Sequence, residues 1–413
     1  MADARLSIAN LPKKRRDTFG KQHEAIAISA KEVLEVPVME DLITKIDIRV
    51  EPLIRPGKVS KEEMTLTAKA LPSKQNPQPG FLAYDDSFLE DVLGSDPKLT
   101  MILEKEWKFA HEAPTYIPEQ DAVYFTSSPP LLNSGRKDSN IAIFKASRKQ
   151  DSSWSCEELA TNIAMGNGSI NYKNGILFCS QGDKTAPGGL VYMQTTAPYA
   201  TKTLLDGFHG RLFNSVNDVV THSDGSIWFT DPTYGYEQDF RLKPELPCQV
   251  YKFEPETGEV RVVADGFGRP NGLCFSPDEE TMYITDTDQI HGDGVDFTRS
   301  ATIYAFDVLA RHNSRFLANR RLFAMADSGV PDGIKVDRKG NVYSGCGDGV
   351  NVWNAGGRLI GKIVVPGGVA NFCFTKPGEI FMLNEERVWV ARVGRGTEGA
   401  LLWNLGLGRD GRQ

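Results

Sequence analysis

Several chemical motifs are absent from this sequence of 413 residues. Its six histidines show no HxH, HExxH or HxxxH spacing, and its six cysteines are scattered through strand-like runs without a CxxC pair. A zinc site built from His and Cys therefore has little support, and we expect the cysteines to be buried, reduced thiols. No Gly-x-Ser-x-Gly sequence is present, so nothing indicates a serine nucleophile.

Long apolar runs and an excess of positive charge are also absent. No stretch approaches the roughly 18 apolar residues of a membrane-spanning helix, and the first residues lack the apolar core of a signal peptide. The formal net charge is −7, which offers no attraction to nucleic acid or to an anionic membrane surface. We therefore expect a cytoplasmic protein whose partner is a small neutral or weakly charged molecule. The sequence does not indicate an oligomeric state.

Turn-forming residues are abundant, with 39 glycines and 23 prolines, as all-β folds require. Residues 1–80 differ from the rest, because they are rich in Lys and Glu and repeatedly interrupted by proline. We predict that they form a partly irregular N-terminal extension, with a short helix over residues 26–34 that Pro37 would end. Residues 81–413 are predicted to form the main domain.

One template recurs six times after residue 81. Each copy opens on a polar residue and continues as a short strand, a turn of Pro, Asp or Gly, and a second strand that ends in a small or acidic residue. A strand repeat at intervals of roughly 40 to 60 residues is typical of propeller blades. The sequence therefore predicts an all-β fold, a six-bladed β-propeller. The six opening residues are Glu112, Asn167, Asn217, Asn271, Asp332 and Asn371.

Every opening residue carries a side-chain carboxylate or carbonyl oxygen. In a propeller these residues begin the innermost strands, so we expect them to point toward the axis at one height. Buried carboxylates and amides need polar partners, and Ca²⁺ accepts about six to eight oxygen ligands. The alternative is that they form strand-end turns, as Asn-Gly and Asp-Gly pairs often do. The matched copies favour one ion, Ca²⁺, with Mg²⁺, Mn²⁺ or Zn²⁺ as substitutes.

Two residues near the predicted channel mouth are candidates for contact with a substrate. Tyr236 belongs to the loop 234–241, whose aromatic and charged residues are placed to cover the mouth. Arg269 lies two residues before Asn271, close enough to the channel to bind a substrate oxygen.

Other polar residues at the strand ends have different expected roles. His111 directly precedes Glu112, but alternation along a strand would turn the two side chains to opposite faces. His111 is therefore a secondary candidate for a catalytic base. Asp231 and Asp286 each end the second strand of a template and are predicted to cap turns.

The template copies carry a family resemblance that covers roughly residues 81–395. The sequence resembles the gluconolactonase family, which also contains senescence marker protein and luciferin-regenerating enzyme. Within that family it looks most similar to fungal lactonohydrolases, which open aldonolactones and D-pantonolactone. The stretches that carry the resemblance are Phe213-Asn-Ser-Val-Asn-Asp-Val-Val, Trp228-Phe-Thr-Asp-Pro-Thr-Tyr-Gly, Arg269-Pro-Asn-Gly-Leu, Pro331-Asp-Gly-Ile and Gly345-Cys-Gly-Asp-Gly-Val-Asn-Val-Trp.

The resemblance implies roles for individual residues. It places the divalent ion on Glu112, Asn271 and Asp332 by matching motif. Asn217 matches a position that touches the metal in some relatives and the substrate in others. Where the family usually has a Glu-His-Gly-like sequence, this chain has Cys179-Ser-Gln-Gly-Asp, which leaves the substrate open.

The resemblance and the residues together predict a calcium-dependent lactonohydrolase. Glu112, Asn217, Asn271 and Asp332 would hold the ion, and Asp332 would also act as the base that activates water. The substrate would be an aldonolactone, a pantonolactone or a secondary-metabolite lactone. Three alternatives remain, which are a phosphotriesterase-like hydrolase, a strictosidine-synthase-like condensing enzyme, and a non-catalytic propeller with a structural ion.

Overall fold

A computed structural model of the chain describes residues 48–50, 78–129, 140–291 and 294–407. The chain divides into two units, Met1–Thr44 and Lys45–Gln413, and all the described residues belong to the second. The helix predicted over residues 26–34 lies outside the described residues. The division of the chain at residue 80 stays a prediction.

Six sheets, each containing four antiparallel strands, confirm the predicted six-bladed β-propeller. We number the blades 1 to 6 by the order of their innermost strands. From the innermost strand outward, blade 1 contains Glu112–Ile117, Ala122–Thr126, Ile143–Arg148 and Trp154–Leu159; blade 2 contains Gly166–Tyr172, Gly175–Ser180, Gly189–Gln194 and Thr201–Leu205; and blade 3 contains Val219–Thr221, Ile227–Asp231, Gln249–Glu254 and Glu259–Ala264.

The second half of the ring repeats this arrangement. The first two strands of each blade are the two strands of the sequence template. Blade 4 contains Pro270–Phe275, Thr281–Asp286, Thr302–Arg311 and Ser314–Met325; blade 5 contains Ile334–Val336, Val342–Cys346, Gly349–Trp353 and Leu359–Val364; and blade 6 contains Asn371–Phe374, Glu379–Asn384, Arg387–Arg392 and Lys98–Glu104.

The strand that closes the ring comes first in the sequence among the strands assigned to the six blades. Lys98–Glu104 is the outermost strand of blade 6, where it pairs antiparallel with Arg387–Arg392. Gly80–Ala83 extends blade 5 by pairing antiparallel with Leu359–Val364, and Ile48–Val50 lies parallel beside it. Closure therefore joins the two ends of the repeat region through backbone hydrogen bonds.

Short helices and hairpins occupy the connections. Tyr234–Glu237 and Ala400–Asn404 are α-helical, Phe88–Leu93 forms a π-helical segment, and Pro118–Gln120 forms a 3₁₀ turn. Two small hairpins pair Gly207–Phe208 with Arg211–Leu212 and Ile290–His291 with Gly294–Val295. None of the helices in the described ranges is long and apolar enough to cross a membrane.

The core lies between the faces of neighbouring blades. All residues of Pro270–Phe275 are buried, whereas residues of the outermost strand Trp154–Leu159 are mostly exposed or half-buried. Aromatic rings join adjacent blades, such as Trp228 of blade 3 with Phe275 of blade 4 at a centroid distance of 5.7 Å. Full burial of such a side chain stabilises the fold by about 1.5–3 kcal/mol. The inner strands are therefore held rigidly around the channel.

One end of the central channel is covered by the C-terminal helix. Ala400–Asn404 and the inner strands of all six blades line a cavity of about 80 Å³ at this end. Leu402 of the helix is buried, and it packs with residues of blades 1 and 6. The opening residues of the templates do not line this cavity.

Candidate active site in the central channel

The opening residues of blades 3 and 5 lie in β-bulges. Asn217 donates its N–H to the carbonyl of Thr230 at 2.9 Å, and Thr230 donates its own N–H to the carbonyl of Asp218 at 3.1 Å. In blade 5 Asp332 and the residue after it oppose Gly345 in the same way, with both distances 2.9 Å. The inner strands of blades 1, 2 and 4 shift register at the corresponding place. A bulge bends the strand and changes where its side chains point.

Glycines let neighbouring inner strands approach closely at these positions. A Cβ atom built on any of three glycines would overlap the opening residue of the next blade, and each of these glycines follows an opening residue. The contacts would be 2.5 Å from Gly168 to the carbonyl oxygen of Asn217, 2.5 Å from Gly272 to that of Asp332, and 2.2 Å from Gly333 to the side chain of Asn371. The Asn-Gly and Asp-Gly pairs therefore serve contact between blades as well as turns.

Threonine hydroxyls fix the opening residues from the preceding blade. Thr230 of blade 3 donates to the carbonyl of Asn271 at 2.7 Å, and Thr285 of blade 4 donates to the carbonyl of Asp332 at 3.0 Å. Both threonines are fully buried. Each hydroxyl therefore fixes the position of a predicted ligand carried by the next blade.

Carboxylates at the ends of second strands hold the loops ahead of two opening residues. Asp231 and Asp286, which were predicted to cap local turns, instead accept hydrogen bonds from loops 16 to 18 residues earlier in the chain. Asp231 accepts the N–H groups of Asn214 and Ser215, both at 2.9 Å, and Asp286 accepts those of Gly268 at 3.2 Å and Arg269 at 2.8 Å. The capped residues lie two and three positions before Asn217 and Asn271.

Three carboxylates repel one another at the same end of the channel. Glu112 and Asp218 are each only 2% exposed, and burial raises the pKa of both groups and of Asp332. The charges of Glu112 and Asp218 further raise the pKa of Asp332 well above its usual range. A bound cation would relieve this repulsion.

Several buried oxygens here have no hydrogen-bond partner among the described residues. They are Oδ1 of Asn217, Oδ2 of Asp218 and Oδ1 of Asp332. Buried polar atoms without partners are rare and unfavourable. Asn271 is also buried, and its amide nitrogen lies 3.5 Å from the hydroxyl of Tyr234. Carboxylate and amide oxygens of this kind are suitable ligands for a cation.

The donor set of this region is made of oxygen atoms. No three His, Cys, Asp or Glu side chains in the described ranges converge to hold an ion by themselves. The amides of Asn217 and Asn271, both buried, are the other oxygen donors predicted beside the carboxylates. Burial raises the pKa of the nearby Cys179 thiol well above its ordinary value, so this residue supplies no thiolate. Carboxylate and amide oxygens fit Ca²⁺ better than Zn²⁺.

Asn167 and Asn371 contribute structure at the rim of this region. The amide nitrogen of Asn167 donates to the carbonyl of Asn217 at 3.1 Å. Asn371 donates to Oε2 of Glu112 at 2.7 Å, and its amide oxygen accepts from Lys335 at 3.5 Å. Both amides therefore orient neighbouring polar groups.

His111 interacts with carboxylates of this region. Its Nδ1 lies 2.8 Å from Oε1 of Glu385, and Glu112 and Asp332 lie near enough to affect its charge. Burial opposes protonation, but the three carboxylates outweigh it and raise the pKa of His111 to about 9. His111 therefore belongs to the polar cluster.

At the channel mouth, Arg269 is held by neighbouring charged groups. It pairs with Glu237 of the short helix Tyr234–Glu237 and lies 3.2 Å from Nδ1 of His291. Tyr236 of the same helix is 49% exposed. The structure therefore places Arg269 in an ion-paired cluster and Tyr236 at the surface.

The sequence reasoning missed Asp218, Lys335 and Glu385. Asp218 directly follows Asn217, and alternation would place it on the opposite face, so only the bulge reveals it. The other two come from different blades or loops, and no local pattern identifies them.

Comparisons with known proteins agree with the motif resemblance. The family model described as "SMP-30/Gluconolactonase/LRE-like region" matches residues 110–384. Lactonohydrolase oryL of Aspergillus oryzae is 29% identical over 346 residues, which cover 79% of this chain and 74% of that protein. Lactonohydrolase oryH of the same organism is 25% identical over 397 residues, with 79% and 81% covered.

A solved structure gives the same result. The gluconolactonase XC5397 from Xanthomonas campestris superimposes with a TM-score of 0.61 and 26% identity, over 77% of this chain and 96% of that chain. The resemblance recognised from the sequence motifs is thereby confirmed.

Proposed function

Because the chain belongs to the SMP-30/gluconolactonase/LRE-like family, we propose that it is a calcium-dependent lactonohydrolase that opens a small-molecule lactone. The observation that carries the proposal is the pair of unpartnered buried oxygens on Asn217 and Asp332, beside the buried carboxylate of Glu112. Their matched places at the start of inner strands support a common ligand.

Four side chains would hold the ion. Glu112 and Asp332 supply two negative charges, and Asn217 and Asn271 supply neutral oxygens, which suits one Ca²⁺. When bound, the cation supplies the polarisation of a lactone carbonyl that hydrolysis requires. Mg²⁺, Mn²⁺ or Zn²⁺ would be substitutes of poorer fit.

Asp332 is the proposed base. Burial and the charge of Glu112 raise its pKa, which makes its carboxylate more basic than an exposed one. It would accept a proton from water while the water oxygen bonds to the carbonyl carbon. The ring C–O bond then breaks and the proton passes to the released oxygen, so that one water and one lactone give one hydroxy acid.

The residues at the mouth would select the substrate. Arg269 is 15% exposed and ion-paired with Glu237, and we propose that it positions an oxygen of the lactone. Tyr236 is exposed on the same helix as Glu237, and we propose that it contacts the substrate from outside the channel. Aldonolactones, pantonolactone and secondary-metabolite lactones are the classes to compare.

The proposal predicts that Asp332→Ala and removal of the metal each abolish lactone opening. The substitution removes the base and one metal ligand, whereas chelation removes the cation that polarises the carbonyl. The expected loss of kcat/KM is roughly 10²–10⁴-fold or more. Added Ca²⁺ should restore the chelated wild type but not the variant. A pH-stat assay over the three lactone classes measures this, with Asp307→Ala as the control, because Asp307 is a surface carboxylate paired with Arg321.

Other outcomes identify the alternatives. Full activity of metal-free protein would contradict the proposal. Turnover of an organophosphate triester but no lactone would indicate a phosphotriesterase. A rise in melting temperature with Ca²⁺, without turnover of any ester, would indicate a structural ion.

A further inference from the structure

A lysine from blade 5 lies among the channel carboxylates. Lys335 is part of the inner strand Ile334–Val336, and its side chain is 17% exposed. Its Nζ lies 4.0 Å from Oδ2 of Asp218 and 3.5 Å from the amide oxygen of Asn371. The ammonium group is therefore largely removed from solvent, and two oxygen atoms from other blades lie within 4.0 Å of it.

The surroundings of Lys335 come from several inner strands. Asp218 faces it from blade 3, Asn371 from blade 6, and the charge of Lys335 also reaches Glu112 of blade 1. The thiols of Cys274 in blade 4 and Cys373 in blade 6 lie near it, and burial raises the pKa of each. These thiols stay neutral, so the carboxylates are the groups that its charge balances.

Asp218 depends on this lysine. It is 2% exposed, and its Oδ1 accepts the N–H of Val219 at 2.8 Å. Its Oδ2 accepts no hydrogen bond within the described part of the chain, although the atom is buried. The nearest cationic atom to that oxygen is Nζ of Lys335. A buried carboxylate without such a charge would be strongly destabilising.

The charges of the region add up to a simple balance. Glu112, Asp218 and Asp332 carry three negative charges when ionised, and Lys335 carries one positive charge. His111 and Glu385 form a pair whose charges cancel. The remaining net charge of these four groups is −2, which one divalent cation would neutralise.

We propose that Lys335 is a fixed cation of the channel that neutralises Asp218 and thereby limits the channel to one divalent ion. This rests on the proposed function, because it takes the ion at Glu112 and Asp332 as given. Lys335 acts as a positioning residue, since it touches neither the substrate nor the proposed ligands other than through Asn371. Without it, the unpartnered Oδ2 of Asp218 would be open to a second cation, beside the amide oxygen of Asn371, which also accepts the N–H of Phe372 at 2.8 Å.

The experiment titrates Ca²⁺ into full-length, metal-stripped protein by calorimetry. Wild type is expected to bind one ion per chain. Lys335→Met removes the charge and keeps the length of the side chain, so it should bind about two ions per chain. A stoichiometry of one ion per chain in Lys335→Met would overturn the proposal, whatever its affinity.

A second pair of variants keeps the test decisive if Lys335→Met does not fold. Asp218→Asn leaves the lysine charge uncompensated beside the ion, so the affinity for Ca²⁺ should fall about tenfold or more. The double variant Asp218→Asn with Lys335→Met should bind one ion with wild-type affinity. If the double variant stays as weak as Asp218→Asn, then Asp218 is a ligand and the proposal is wrong.

Controls separate this inference from the proposed function. Lys362 is another buried lysine, paired with Asp327 and Asp348 outside the channel, so Lys362→Met should leave the stoichiometry at one ion. Absence of Ca²⁺ binding by wild type would refute the metal site of the proposed function and this inference together. Normal binding and lactone turnover by wild type, with one ion in Lys335→Met, would refute this inference alone.

Discussion

Individual carboxylates in this protein are buried in two ways. Asp218 is balanced by the charge of Lys335, whereas Asp231 relies on backbone N–H groups of Asn214 and Ser215. Burial of Asp231 outweighs those hydrogen bonds and raises its pKa to about 7. Burial is the main cause that raises the pKa of both carboxylates, although the groups that oppose it differ.

The raised pKa of Asp231 predicts a pH dependence of stability. Between about pH 4 and about pH 7 the folded state keeps a proton that the unfolded state has lost, so the free energy of unfolding falls as pH rises, by up to about 1.4 kcal/mol per pH unit. Above about pH 7 this contribution levels off. In Asp231→Asn the group cannot ionise, so the decline should be shallower than in wild type.

Urea unfolding over this pH range measures the difference. The quantity to compare is the slope of the free energy of unfolding against pH in the two proteins. Parallel slopes for wild type and Asp231→Asn would contradict the assigned titration.

At the channel, glycine residues allow the inner strands of neighbouring blades to pack closely together. Gly272 follows Asn271, and a Cβ atom there would lie 2.5 Å from the carbonyl oxygen of Asp332 in the next blade. That carbonyl also accepts the hydroxyl of Thr285. From the sequence, a turn was the alternative role for this Asn-Gly pair, whereas the structure shows the glycine in a contact between blades.

Gly272→Ala should therefore separate blades 4 and 5. Overpacking of this kind costs about 1–3 kcal/mol, and displacement of Asp332 should weaken Ca²⁺ binding as well. Thermal unfolding and calorimetric titration measure the two effects. Gly396→Ala is the matched control, because a Cβ atom at Gly396 meets nothing within 4 Å. Equal stability of the two variants would show that the inner strands can move apart freely.

The whole molecule depends on one closing contact. Lys98–Glu104 completes blade 6, and within this strand Leu99 is buried and pairs with Ala391. It packs in the cluster that fills the space between blades 5 and 6. Because neighbouring blades support one another around a closed ring, weakening this contact affects more than one sheet.

Leu99→Glu should lower the stability of the whole propeller by about 3–5 kcal/mol, because it places a charge in an apolar contact. Differential scanning calorimetry should show the main transition moving to lower temperature as one unit. Thr100→Glu introduces the same side chain at an exposed position of the same strand and should leave the transition nearly in place. Loss of only a small, separate transition in Leu99→Glu would argue against cooperative closure.

The repeat by itself determined the architecture and much of the candidate site. Six copies of a two-strand template are typical of blades around an axis, and their first residues are then expected near that axis. The repeat thus predicts the positions of six oxygen-bearing residues, and the family resemblance selects Glu112, Asn271 and Asp332 among them as expected ligands, with Asn217 as a further candidate.

Only the tertiary structure decided which further groups join them. A β-bulge brings Asp218 to the polar cluster against the expected alternation, and Lys335 and Glu385 reach it from other blades, where Glu385 binds His111. The bond from Asn371 to Glu112 joins residues 259 positions apart. A local pattern specifies the strand on which a residue lies, but the charge balance of the channel depends on contacts between blades, which form only when the ring closes.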